Sequence, residues 1–185
     1  MRGWALAEQG QGEEGIAQLR QGLAAGRAAG AELQRSYFLA LLVEAYGKVG
    51  QTEEGLTVLA EALAVVDKNE ERYWEAELYR LKGELVLQSG VRRPKSPTPN
   101  TQHPAPSTQA EAEAEACFHK AIEVARKQQA KSLELRAVMS LSRLWQQQGK
   151  KEEAKQRLAE IYGWFTEGFD TKDLQEAKAL LDELS

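Results

Sequence analysis

One short phrase returns along the chain at nearly constant spacing. GQTEEGLTVLAEAL stands at Gly50–Leu63, GQGEEGIAQLRQGL at Gly10–Leu23 and GKKEEAKQRLAEI at Gly149–Ile161. In each, a glycine, two further residues and a pair of glutamates lead into a spaced apolar run. Gly10 and Gly50 are 40 residues apart, Gly50 and Gly90 again 40, and Gly90 and Gly149 59. The last interval is longer by about 19 residues, and all 5 prolines, Pro94 to Pro106, fall inside it. Internal recurrence on this scale marks a repeat architecture, in which each unit buries its apolar face only against its neighbours.

Each period holds two helices. Leu39, Leu42, Val43 and Tyr46 recur at three- and four-residue steps before Gly50, and Leu56, Leu59, Leu63 and Val66 do so after it. That spacing gives one buried face per helix. The connection is short, so the two helices lie antiparallel. Glycine enters the left-handed region at a helix C-terminus without a side-chain penalty. The glutamate pair then meets the positive end of the next helix dipole. The expected domain is single, residues 1–185, with repeats near 1–30, 31–68, 69–130 and 131–166. A capping helix over 170–184 is expected to begin at Asp170 or Thr171, with Leu174, Ala177, Leu181 and Leu184 as its apolar stripe. Hydrophobic content of 42% and charged content of 28% suit a folded chain, and good helix formers dominate outside the proline window.

The motif resembles the tetratricopeptide repeats. That family places large, small and aromatic residues on a first helix, a glycine before the bend, and a small–aromatic–small series on the second. The third unit supplies Gly83 at the small site, Gly90 before the bend, and Ala114, Phe118 and Ala121 on its second helix. The second supplies Val43, Tyr46, Gly50, Gly55, Leu59 and Ala62, and the fourth Ser142, Trp145, Gly149, Ala154, Leu158 and Ile161. The family's frequent proline after the second helix is absent, and the period of 40 is that of a longer-helix variant. The resemblance implies an all-α, right-handed solenoid of about four antiparallel helix pairs with a C-terminal cap. A narrower likeness joins Ser132–Ala154 and Ile161–Leu184 to the helical-repeat tails of bacterial proteins that carry cyclase and predicted-ATPase domains. No GxxxxGK[ST] phosphate loop occurs in this chain. Trp4 and Leu6 fall in the second half of a first helix closed by Gly10, as in a fragment of a longer protein.

The window Val91–Gln109, VRRPKSPTPNTQHPAPSTQ, lacks the apolar surface to offset its ordering entropy and is expected to be a disordered insertion at the bend of the third repeat. It contains a PxxP sequence, PKSP, with Ser96 and Thr98 each before proline, as docking or modification sites do. A tolerated surface insertion is the simpler account.

Little in the sequence suggests catalysis or cofactors. Cys117 and His119 point to different sides of a helix, and structural zinc needs more such ligands. Cys117 reads as a packing thiol, and the four tryptophans as packing residues. A net charge of −4 and a pI near 5.4 disfavour an RNA-binding helical repeat. One cysteine, no membrane-length apolar run and no signal-peptide pattern point to the cytoplasm.

The resemblance directs attention to the concave face, where first helices meet ligands. Carried over by position, that face holds Tyr37, Glu44 and Lys48 from the second repeat. The third offers Glu77, Arg80, Glu84 and Gln88, and the fourth Arg136, Met139, Arg143 and Gln147. Arg80, Arg136 and Arg143 suit carboxylates of a peptide, unless neighbouring glutamates already satisfy them. The expected function is a non-catalytic protein-interaction module, the scaffolding or regulatory tail of a bacterial signalling protein. A free-standing adaptor, and self-association through the incomplete first repeat, are the alternatives. No cofactor, metal, nucleic acid or membrane is expected as a partner.

Overall fold

In the computed structural model, which describes residues 2–30, 34–92 and 106–185, the chain is an all-α solenoid of antiparallel helix pairs. Helices α1 (Arg2–Glu8) and α2 (Gly12–Ala28) form the first pair, α3 (Arg35–Val49) and α4 (Thr52–Asn69) the second. A 3-10 turn, Arg72–Trp74, leads into α5 (Glu75–Arg92), which pairs with α6 (Pro106–Lys127). Helices α7 (Lys131–Gln147) and α8 (Lys151–Tyr162) form the fourth pair, and α9 (Lys172–Glu183) packs on both.

The recurring phrase makes the same bend each time. Gly50 is left-handed at φ 74°, its N–H donates to Gly47 O, and the N–H of Gln51 reaches back to Tyr46 O. Gly10 and Gly149 repeat this geometry, with Gln11 donating to Leu6 O and Lys150 to Trp145 O. This double closure satisfies carbonyls that the helix end would leave open. Gln129 makes the α6–α7 bend in the same way at φ 56°, without being glycine. Glu13 and Glu14, Glu53 and Glu54, and Glu152 and Glu153 all lie in first helical turns.

Gly90 departs from the expected pattern. Helix α5 runs through it to Arg92, and Gly90 has no positive φ. Its hydrogen side chain serves close approach instead: a Cβ there would lie 2.6 Å from that of Ala110. The insertion is correspondingly shorter at both ends than Val91–Gln109, because α5 ends at Arg92 and α6 begins at Pro106. The expected disorder, the PxxP sequence, Ser96 and Thr98 lie outside the described residues. At the last helix, Thr171 occupies the N-cap but makes no capping bond; its hydroxyl donates to Gly168 O. Leu180 rather than Leu181 completes the buried stripe of α9, with Leu174, Ala177 and Leu184.

Apolar packing runs between layers rather than around one centre. Leu39, Val43, Leu59 and Val66 meet Leu78 and Leu85 across the second and third pairs. Phe118, fully buried, lies over Gly83, where a Cβ would sit 2.5 Å from its ring. The largest cluster joins α6 to the fourth pair and α9 through Leu135, Leu141, Leu144 and Leu158. Trp164 is the exception among the tryptophans, 58% exposed in the loop after α8.

Candidate functional site

The odd-numbered helices share one side of the solenoid. Side chains at helical steps of three and four, such as Glu77, Arg80, Glu84 and Gln88 on α5, form a stripe on that side. Stripes from α1, α3, α5, α7 and α9, with Trp74 of the 3-10 turn, line a concave cavity of about 570 Å3. Of the eleven positions named from the sequence, all but Gln147 line it. Gln147 is exposed beyond the cavity, one turn past Arg143. Met139 lines it while only 3% exposed, so it packs more than it presents.

The floor is an ion-pair lattice. Arg80 is buried to 6% exposure and grips Glu77 with two bonds, Nε to Oε2 at 2.9 Å and Nη2 to Oε1 at 2.7 Å. Its Nη1 donates to Glu84, whose carboxylate also accepts from Ser140 Oγ at 2.9 Å. Arg136 Nη2 approaches Glu77 Oε1 at 3.0 Å, tying α5 to α7. Burial pushes the Glu77 carboxyl up, but the charge and hydrogen bonds of Arg80 and the charge of Arg136 outweigh it, so its pKa lies below the ordinary value. Burial likewise opposes the charge on Arg80, and Glu77 and Glu84 more than restore it, leaving the guanidinium more basic than usual.

The walls continue the alternation. Trp4 Nε1 donates to Glu44 Oε2 at 3.2 Å, and Lys48 bridges Glu44 and Glu8. On the far wall Arg143 Nη2 meets Glu176 Oε2 at 3.2 Å, and Lys172 lies 3.9 Å from Glu176. Lys172 Nζ also stands 3.7 Å from Glu8 Oε2, so the first and last helices meet across the concave face. Burial, together with Lys172, Arg136 and Arg80, lowers the pKa of Lys48 against the opposing pull of Glu84. Near the start of α3, Tyr37 stacks on Trp74 with ring centroids 4.7 Å apart, and Tyr73 stands edge-on to Trp74 at 5.4 Å.

The three arginines are therefore not waiting for a ligand. Arg80 and Arg136 face Glu77, and Arg143 faces Glu176. Sequence reasoning missed Trp4, Glu8, Trp74, Ser140, Lys172, Asp173 and Glu176 as lining residues. Lys172, Asp173 and Glu176 do carry the step of three and four on α9, but in the sequence that helix reads as a cap alone. Cys117 is buried on α6, away from this cavity, and burial raises its pKa. Among the described residues no cluster of three or more His, Cys, Asp or Glu side chains could hold a metal ion. No helix among them is long and apolar enough to cross a membrane.

No family model matches the sequence, and no curated protein matches it. Solved structures match the fold. One is a single-substitution form of a candidate kinesin light chain of Podosopora anserina with nearly identical TPR-like repeats; it is 16% identical, with 98% of this chain and 81% of that chain covered and a TM-score of 0.64. A second structure, of that kinesin light chain without the substitution, gives 17% identity, the same coverage and a TM-score of 0.61. At such identity the likeness shows a TPR-like solenoid fold and nothing finer.

Proposed function

We propose that the chain is a non-catalytic protein–protein interaction module whose concave cavity receives a segment of a protein partner. One observation carries this: ten positions carried over from the resemblance to tetratricopeptide repeats line one walled concavity shared by five helices. Repeat arrays generate such surfaces, and they suit extended partners more than turnover. The one thiol is buried with a raised pKa, which works against thiolate chemistry. The cavity lining carries six carboxylates against five cations, a poor match to a phosphate backbone.

The internal pairing changes which partner groups are favoured. A strongly acidic peptide would have to displace Glu77 or Glu176 from its arginine. A segment that sets an aromatic or proline side chain on the Tyr37–Trp74 stack, with charges of both signs beyond it, meets the surface without that cost. The context we favour is a cytoplasmic scaffolding or regulatory tail of a bacterial signalling protein of the cyclase or ATPase type. That context rests on the likeness of Ser132–Ala154 and Ile161–Leu184 to such tails.

The test is selection from a displayed library of random peptides, then calorimetric titration of the selected peptide. Arg143→Ala and Trp74→Ala each weaken binding by about tenfold, the loss typical of a truncated interface anchor. Arg80→Ala is the poorer probe, because it strips the buried Glu77 of its main partner and mixes folding with binding. Unchanged affinity in both cavity variants sinks the proposal.

A further inference from the structure

The side of the solenoid away from the cavity has a pocket of its own. Helix α8 stops after 12 residues, whereas α7 has 17 and the earlier second helices α4 and α6 have 18 and 22. It is therefore about 7–8 Å shorter than α7. The difference falls at the start of α7, because the Gly149 bend joins the other two ends. A pocket of about 490 Å3 lies there. Arg126 walls it from α6, Glu134 and Val138 from α7, Arg157 from α8, and Trp164 from the loop that follows. It shares no lining residue with the concave cavity. Glu134 and Arg136 are two positions apart, about 200° around α7, so the two recesses open on different sides of that helix. Every residue from 106 to 185 is described, and the pocket lies within that span, about 30 Å along α6 from its start.

Its arginines are held differently from those of the cavity. Buried Glu134 accepts from Arg126 Nε at 2.6 Å and from Lys131 Nζ at 2.7 Å, so it is satisfied. The terminal nitrogens of Arg126 have no partner among the described residues. Among the same residues Arg157 makes no hydrogen bond, and its one ion pair is with exposed Glu160 at 3.6 Å. Two guanidinium groups with unused N–H donors thus face one pocket, from α6 and from α8. At its rim Trp164 is exposed over more than half its surface. Phe165 stands edge-on to that ring at 5.2 Å, and Lys131 Nζ lies 5.8 Å from its centre. The indole is held in place but left uncovered.

We propose that this pocket is a second docking site, for a segment of a partner protein that sets an aspartate or glutamate between Arg126 and Arg157 and an apolar side chain on Trp164. Guanidinium N–H donors pair with carboxylates two at a time. The lining charge is Arg126, Lys131 and Arg157 against Glu134 and Glu160, so one incoming carboxylate brings it to balance. That small excess fits an acidic side chain and is a poor match to a nucleic-acid backbone. Arginine and tryptophan are also prominent among the residues that anchor interfaces. The cavity disfavours acidic segments because Glu77 and Glu176 already hold its arginines. This pocket accepts them because its donors are open.

The test selects peptides from a displayed random library on the wild-type chain, then discards those that also bind a chain carrying Arg157→Glu and Trp164→Ser. Neither side chain holds a buried partner, so the variant keeps the circular dichroism spectrum and melting temperature of the wild type. The peptides that remain carry Asp or Glu beside an apolar residue. In calorimetric titration Arg157→Glu and Trp164→Ser each weaken them about tenfold. Arg126→Lys keeps a cation for Glu134 but loses the paired donors, and it weakens them several-fold. Arg143→Ala and Trp74→Ala in the cavity leave their affinity unchanged, so the two sites are read apart. A selection in which no peptide tells the wild type from the double variant overturns the proposal. So do remaining peptides that lack an acid, and peptides that the cavity variants release.

Discussion

The first helix pair and the fourth have the same bend and opposite interiors. Helices α7 and α8 bury Leu135, Leu141, Leu144 and Leu158 at 0–1% exposure, and α9 adds Leu174, Leu180 and Leu184. Helices α1 and α2 bury only Ala7, Ile16 and Leu19 at 5–6%, and they touch through glycine backbones at Gly3 and Gly15. One edge is held by side-chain volume and the other by closeness of approach. A shared turn motif therefore specifies how helices connect, while the residues between turns decide how firmly each layer is held.

The largest test of that contrast is truncation in the fourth pair. Leu158→Ala should cost about 3–5 kcal/mol in urea denaturation, since the site is sealed on every side by α6, α7 and α9. Ile16→Ala, in a layer with few large buried side chains and itself 6% exposed, should cost nearer to about 2 kcal/mol. Equal losses would remove the distinction. Next comes Gly15→Ala. Its new methyl would meet Gly3 O and Ala7 N, both backbone, so α1 must shift, at about 1–3 kcal/mol. Hydrogen exchange should then show α1 losing protection while α7 and α8 keep theirs.

Acid sharpens the contrast further. Glu134, 2% exposed at the start of α7, accepts from Arg126 Nε at 2.6 Å and Lys131 Nζ at 2.7 Å. Burial raises its pKa, but those hydrogen bonds and charges pull it below the ordinary value. A carboxyl depressed in the folded state adds stability above its unfolded pKa, near about 4.3, and that stability is lost as pH falls through the lower folded value. Lowering pH from 7 to about 3 should therefore loosen α7 before α2, followed amide by amide in exchange. Among the described residues, Glu13 and Glu14 of α2 accept from exposed glutamines, Gln51 and Gln18. The smallest effect has the opposite sign. Gly22→Ala places a methyl in open space within a helix and should stabilise the chain by about 0.5–1 kcal/mol.

What the sequence disclosed follows from what repetition encodes. Bends at Gly10, Gly50 and Gly149 were legible because left-handed geometry demands a rare residue type at a fixed place. Gly90 misled because a glycine also serves helix contact, and one letter cannot separate the two uses. Gln129 was invisible as a bend for the converse reason: the surrounding hairpin holds a non-glycine in the same conformation. The cavity face was legible through the resemblance to tetratricopeptide repeats, which assigns the concave side to first helices; the step of three and four then places the positions on α3, α5 and α7. Its closure was not, because Glu8 and Lys172 lie 164 positions apart and meet only through the accumulated curvature of every layer between them. Pairing within the cavity was equally hidden. Spacing placed Arg80 near Glu77 and Glu84, but Arg136 reaching Glu77 and Ser140 reaching Glu84 depend on how α7 lies against α5.

The meeting of Glu8 and Lys172 turns an open strip into something like a clasped bracelet. In an unclasped solenoid, bending at one joint leaves the distant joints as they were. Here, widening the mouth also parts the Glu8–Lys172 pair, so the two ends of the array are weakly coupled. Both clasp residues reach water, and ionic strength sets how far such a pair feels its partner, with a reach of about 8 Å at physiological salt and about 3 Å at 1 M. An exposed pair of this kind contributes about 0–1 kcal/mol, so raising salt should loosen this contact at the rim and leave the apolar packing of the layers beneath it in place.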